Sequence, residues 1–129
     1  MTKEHDRAIT AFVATVYRKA EAAGVTEGIY TAVIALPPIA RRLHKVFERQ
    51  CNGHQTYDGR EDEAAAARDE KREARLIEQA RELAKQCGAE IYVQGDPRGW
   101  PLYLYWTADL KEGETIESYY PQRGVGIPV

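Results

Sequence analysis

Ile91-Tyr92-Val93-Gln94-Gly95-Asp96-Pro97-Arg98-Gly99-Trp100-Pro101-Leu102-Tyr103-Leu104-Tyr105-Trp106 sets two β-rich runs around a turn, and almost everything before it reads as helix. Asp96 can bond its own backbone at the first turn position, Pro97 presets φ at the second, and Gly99 closes the turn. The stretch therefore predicts a hairpin over residues 90–106. Alternation gives it two faces: Ile91, Val93, Leu102 and Leu104 toward a core, and Tyr92, Gln94, Tyr103 and Tyr105 away from it.

Beyond the hairpin, residues 108–113 form a turn-rich connection, and residues 116–120 predict a third strand. The tail, residues 125–129, is read either as an edge strand or as a wrap over the sheet. On the other side, residues 61–86 predict an Ala- and Glu/Arg-rich helix that ends at Gly88. Glu61, Asp62 and Glu63 sit at the positive end of its dipole. Leu76, Ile77, Ala80, Leu83, Ala84 and Cys87 form its buried stripe, and the alanines of residues 64–67 project beyond the core or meet a partner.

Residues 2–23 also show helical spacing, with Ile9, Phe12, Val13, Val16, Tyr17 and Ala20 on one stripe. Thr2 is placed to cap the start and Gly24 the end, while Lys3, Arg18 and Lys19 fall on the solvated side. Residues 29–36 read two ways. They are rich in β-branched residues, as a buried strand is, yet Ile29, Val33 and Leu36 keep helical spacing, which favours a short helix capped by Thr26. Pro37-Pro38 then predicts a bend, and Pro38 opens a further helix that turns Ile39, Leu43, Val46 and Phe47 inward. Asn52-Gly53 is its stop.

With 129 residues, 43% of them hydrophobic and 29% charged, the chain predicts one soluble α+β domain spanning residues 1–129. Its helices, within about residues 1–88, pack on one face of a small antiparallel sheet in residues 89–129. The net charge of −2 argues against a global basic field, but residues 1–57 carry 8 basic against 5 acidic groups. Arg41, Arg42, Lys45 and Arg49 concentrate that surplus on one helix face. No apolar run is long enough to span a membrane, and early charges interrupt any signal-like stretch, so a cytoplasmic protein without a membrane partner is expected.

The sequence resembles a group of small, mostly uncharacterised phage and prophage proteins. The resemblance lies in a "CNG … QGDPRG … LYL" pattern, here at residues 51–53, 94–99 and 102–104, followed by a short tail from Gly124 to Pro128. It covers roughly residues 33–129 and implies an accessory protein acting in the cytoplasm of a bacterial host. Two departures stand out: Val93 where relatives often carry His, and Trp100-Pro101 where they commonly have a small residue.

Three sets of residues carry candidate chemistry. Gln94, Gly95, Asp96, Arg98 and Gly99 can offer backbone N–H groups and a guanidinium to a phosphate or carboxylate, or can simply make a rigid turn. Tyr103 and Tyr105, with Tyr92 and with Trp100 at the rim, can stack bases or anchor a protein, or be covered by another element. His44, Cys51 and Asp96 are the residues an enzyme would use. Against that, Cys51 reads as a small buried hydrophobe, and the Cys51–His54 spacing suits no standard metal motif.

No P-loop, dinucleotide fingerprint or nucleophile elbow is present, and no cofactor or metal is expected. The leading expectation is a non-enzymatic, counter-defence type inhibitor that binds a host protein or protein–nucleic-acid complex. Binding of single-stranded nucleic acid or a small phosphorylated ligand is the alternative, with an enzyme third and a homo-oligomer possible.

Overall fold

The computed structural model describes residues 3–54, 62–95, 99–115 and 124–129. Three helices precede a small antiparallel sheet, the α+β arrangement expected. The helices are α1 (Lys3–Ala22), α2 (Ile29–Cys51) and α3 (Glu63–Gln86); the strands are β1 (Glu90–Val93), β2 (Leu102–Tyr105) and β3 (Val125–Gly126).

Two helix ends follow the glycines. Gly24 and Gly88 adopt φ of 87° and 73°, and the next residue's N–H reaches back to Ala20 and Ala84 respectively, each at 2.9 Å. That return bond tucks Val25 and Ala89 against the core. Thr2, the expected cap of α1, lies outside the described residues. Asp62 caps α3 by accepting the N–H of Ala65 at 3.0 Å. Past that cap, Ala64 and Ala67 are exposed, while Ala65 and Ala66 are half-buried.

α2 corrects two expectations. It is helical from Ile29, with Gly28 and not Thr26 at the N-cap, and it continues through Pro37 and Pro38 without a break. The phase of the buried side chains explains the continuity. Ile29, Ala32, Val33, Leu36, Ile39, Ala40, Leu43, Val46 and Phe47 form one stripe that does not shift at the prolines. Burial of that stripe outweighs the two missing N–H donors, which leave the Val33 and Ile34 carbonyls without their helical partners.

The expected hairpin is present, pairing Ile91 opposite Leu104 and Tyr92 opposite Tyr103. Gln94 N–H donates to Pro101 O at 2.8 Å across its neck. Asp96, Pro97 and Arg98 lie outside the described residues, as does the strand expected at residues 116–120. The third strand of the sheet comes from the tail: β3 pairs with β2, Gly126 opposite Tyr103 and Val125 opposite Leu104.

Leu102, Leu104 and Ile127 are fully buried with Val16, Val33, Leu36, Leu43 and Val46, so the sheet's inner face and the helices share one core. Lys19, expected in solvent, instead pairs with Asp109 at 2.7 Å and lies 5.9 Å from the Trp106 ring centroid. Trp106 in turn donates its indole N–H to Cys87 O at 3.1 Å. These contacts tie the end of α1 and the end of α3 to the short 3-10 turn after β2.

Candidate functional site: a basic groove between two helices

α2 and α3 make the most extensive contact in the fold and run antiparallel, so the end of α2 lies beside the start of α3. A cavity of about 330 Å³ opens along that seam, lined by Arg42, Lys45, Arg49, Arg72, Arg75, Leu76 and Gln79. Arg42, Lys45 and Arg49 come from one exposed face of α2, where spacings of three and four residues line them up. Arg72 and Arg75 meet them from α3.

Beneath the cations sits Asp69, 3% exposed and the one buried charged residue among those described. Arg49 grips it with two bonds, Nε to Oδ2 at 2.9 Å and Nη2 to Oδ1 at 2.8 Å. His54 Nε2 lies 2.5 Å from Oδ2, and because an ionised carboxylate only accepts, that nitrogen carries the proton. Arg72 Nη1 adds a longer bond to Oδ1 at 3.3 Å. Four donors therefore occupy the carboxylate's acceptor sites, and Asp69 has no free lone pair to act as a base. The Arg49 bonds pull its pKa down to about 2, against the opposing effect of burial.

His54 is held from both ends. It is a non-glycine residue with φ of 49°, in the left-handed region that side chains rarely adopt. Its carbonyl accepts the Asp62 N–H at 2.7 Å, while its ring binds Asp69. The turn after α2 is thereby latched to the start of α3, and Arg49 is fixed at the groove's edge.

Arg42, Lys45 and Arg75 have no carboxylate within ion-pairing distance among the described residues. Five cations thus surround the groove with one carboxylate beneath them, leaving an excess of four positive charges.

The site residues named from sequence divide accordingly. Arg42, Lys45 and Arg49 line the groove; Arg41 is exposed but does not. Among the described residues, Gln94, Gly95, Gly99, Trp100 and the aromatic sheet face do not contribute to its lining, and Asp96 and Arg98 lie outside those residues. Tyr92, Tyr103 and Tyr105 share the outer sheet face, half-buried and each with its own interaction.

Trp100 is 39% exposed, but its ring lies over Gly126, where an added Cβ would fall 2.1 Å from Cε3. Gln94 bears on Gly99 in the same way, its amide nitrogen 3.2 Å from a Cβ built there. Gly95 is exposed.

Cys51 is exposed and not the buried residue expected: it ends α2 in phase with the core stripe but one turn past the last buried position, Phe47. His44 pairs with Glu48 at 2.8 Å and stands two turns, about 10 Å of helical rise, from Cys51. No group of His, Cys, Asp and Glu among the described residues is arranged to hold a metal, and no described helix is long and apolar enough to cross a membrane.

Sequence reasoning missed Asp69, Arg72 and Arg75 as parts of a site, and weighed His54 only beside Cys51. A signal was present. The buried stripe of α3, stepped back seven residues from Leu76, lands on Asp69, and a carboxylate in core phase requires cationic partners. No family model, curated protein or solved structure matches the chain.

Proposed function

We propose that the protein is a non-enzymatic binding protein whose α2–α3 groove takes a phosphate-bearing ligand. The observation that carries this reading is the set of five cations around one cavity, with Asp69 the single carboxylate beneath them among the described residues. Like charges gathered without counter-ions work against folding, and an anion relieves that repulsion. Arginine suits the role, because its planar fork engages phosphate oxygens in pairs. The latch through Asp69 holds Arg49 in place before any ligand arrives, which lowers the ordering cost of binding. In the setting the resemblance implies, a phage accessory protein in a bacterial host, the ligand is a host nucleotide or nucleic acid that the protein sequesters.

The test is titration with tripolyphosphate and with a labelled oligonucleotide at about 20 mM salt, where screening is weakest. Binding is expected to fall steeply as salt rises, and to vanish in Arg42→Glu/Arg75→Glu. That variant should melt at the wild-type temperature or above it, since it removes repulsion at exposed positions. No binding of either probe at low salt would end this reading.

A second reading, inhibition of a host protein or protein–nucleic-acid complex by direct contact, is favoured by Tyr30 and Ile34. They are 61% and 47% exposed and one turn apart on α2, a spacing that makes an apolar contact pair. Tyr30→Ser/Ile34→Ser would then abolish biological activity while leaving tripolyphosphate binding intact; retained activity would dismiss this second reading.

A further inference from the structure

Arg75 and Gln79, one turn apart on α3, line two cavities at once. On one side is the basic groove. On the other is a trough of about 520 Å³ lined by Ile39, Arg75, Glu78, Gln79, Glu82 and Leu83. Its exposed lining is almost wholly carbon, with Ile39 7% exposed and Leu83 half-buried at the floor. From Arg49 to Ile39 the seam runs ten residues of α2, about 15 Å of helical rise. It passes from a strongly cationic end to an apolar end rimmed by two carboxylates.

We infer that groove and trough form one nucleotide site, with the oligophosphate among the arginines and the base lying on Ile39 and Leu83. The inference rests on the phosphate-binding reading above and adds the ligand's class. Three features select a nucleotide over other phosphates. The cations form a patch only two turns long, sized for an oligophosphate and too short to track a polymer backbone. A base has apolar faces for the floor and polar edges for the Gln79 amide, which offers both a donor and an acceptor. Glu78 and Glu82 repel phosphate from the trough but can accept from a base's amino group, so the charge gradient along the seam sets the ligand's direction.

The experiment is calorimetric titration of the whole protein with ATP, GTP, tripolyphosphate and octyl phosphate at about 20 mM salt. A nucleoside triphosphate is expected to bind about tenfold more tightly than tripolyphosphate, the gain one stacked base supplies. Leu83→Gln, which adds polarity but no charge, should remove that gain while leaving tripolyphosphate binding within about twofold. Leu83 also packs on the core, so Gln79→Ala, at an exposed position, serves as the second variant. Gln79 lines both cavities, so the readout is the ratio: the nucleotide's advantage over tripolyphosphate should shrink about threefold or more. Equal affinity for nucleotide and tripolyphosphate would overturn the inference and leave the phosphate reading standing. Octyl phosphate matching ATP would assign the trough to an alkyl chain and overturn it too. Failure of every phosphate to bind would remove both readings together.

Discussion

Replacing Asp69 by asparagine tests the latch beneath the groove, because it keeps the side chain's shape and one acceptor while removing its charge. The wild-type carboxyl is held down from 3.8 to about 2, a difference worth about 2 kcal/mol of folding free energy. Arg49 and Arg72, the two guanidinium partners, are 43% and 46% exposed, so solvent screening reduces the charge contribution to about 1–2 kcal/mol. The introduced amide would also turn its N–H₂ toward Arg49 or His54, where donors already point, and one buried hydrogen bond would be lost at about 1 kcal/mol. Asp69→Asn should therefore lose about 2–3 kcal/mol at neutral pH, less than the cost of breaking a fully buried pair, because its freed cations can rehydrate.

The pH dependence carries the sharper test. Asp69 has a lower pKa folded than unfolded, so between about pH 4 and pH 2 the unfolded chain binds more protons at this site. Its contribution is fully present above about pH 4 and is lost as pH falls through about 2. Urea denaturation of both proteins from about pH 7 down to about pH 2.5 should show the gap between them narrowing below about pH 4. A gap under about 0.5 kcal/mol at neutral pH, or one that stays constant across the acid range, would refute the argument that a charged, depressed carboxylate locks α2 to α3.

Three further outcomes follow from the geometry. Pro38→Ala, at an exposed position inside α2, should stabilise the protein by about 1–2 kcal/mol, since an interior proline costs about 3 kcal/mol in a helix and returns about 1 through a stiffer unfolded chain; a lower melting temperature would mean that α2 is shaped by its prolines. Gly126→Ala should cost about 1–3 kcal/mol by driving a methyl into the Trp100 ring, and Trp100→Ala in the same chain should recover most of the loss, as guanidinium melts followed by circular dichroism would read. Gly88→Ala should cost about 1 kcal/mol or more, because φ of 73° disfavours a side chain and the new Cβ would meet Val25 at 3.0 Å; an unchanged melting temperature would contradict the tight return at the end of α3.

Much of this was legible in residue order. The hairpin strands and their two faces followed from alternation, which acts within a few residues. The helix stops at Gly24, Gly53 and Gly88 followed from local backbone needs. The failures share a different origin. Pro37-Pro38 signals a break by every local rule, yet the stripe from Ile29 to Phe47 keeps its phase across it, and tertiary burial decides. Cys51 was assigned by residue type and lies in phase with the buried face, but it ends α2 one turn past Phe47, where the buried stripe has run out. Lys19 has no local reason to leave solvent; its partners Asp109 and Trp106 come from the far end of the chain.

The groove lies between these two cases. Its α2 half was visible as Arg42, Lys45 and Arg49 on one face, but a basic face on one helix has no depth. Depth needs a second helix, and which face α3 turns toward α2 is fixed by the same stripe that buries Leu76, Ala80 and Ala84. Stepping that stripe back to Asp69 fixes the rotation: Arg72 and Arg75, three and six residues on, then fall at the groove and not on the far side. Asp69 thus has two effects that would be hard to obtain from a hydrophobic residue there. It anchors the start of α3 to the turn after α2, and it holds Arg49 over the groove while neutralising only one of five charges. A carboxylate in the lining itself would make the seam more stable and would occupy the cations on which the proposed phosphate site depends. The sequence has acidic residues in abundance along α3, at Glu70, Glu73, Glu78 and Glu82, and none of those lines the basic groove. That distribution is what the proposed phosphate site rests on.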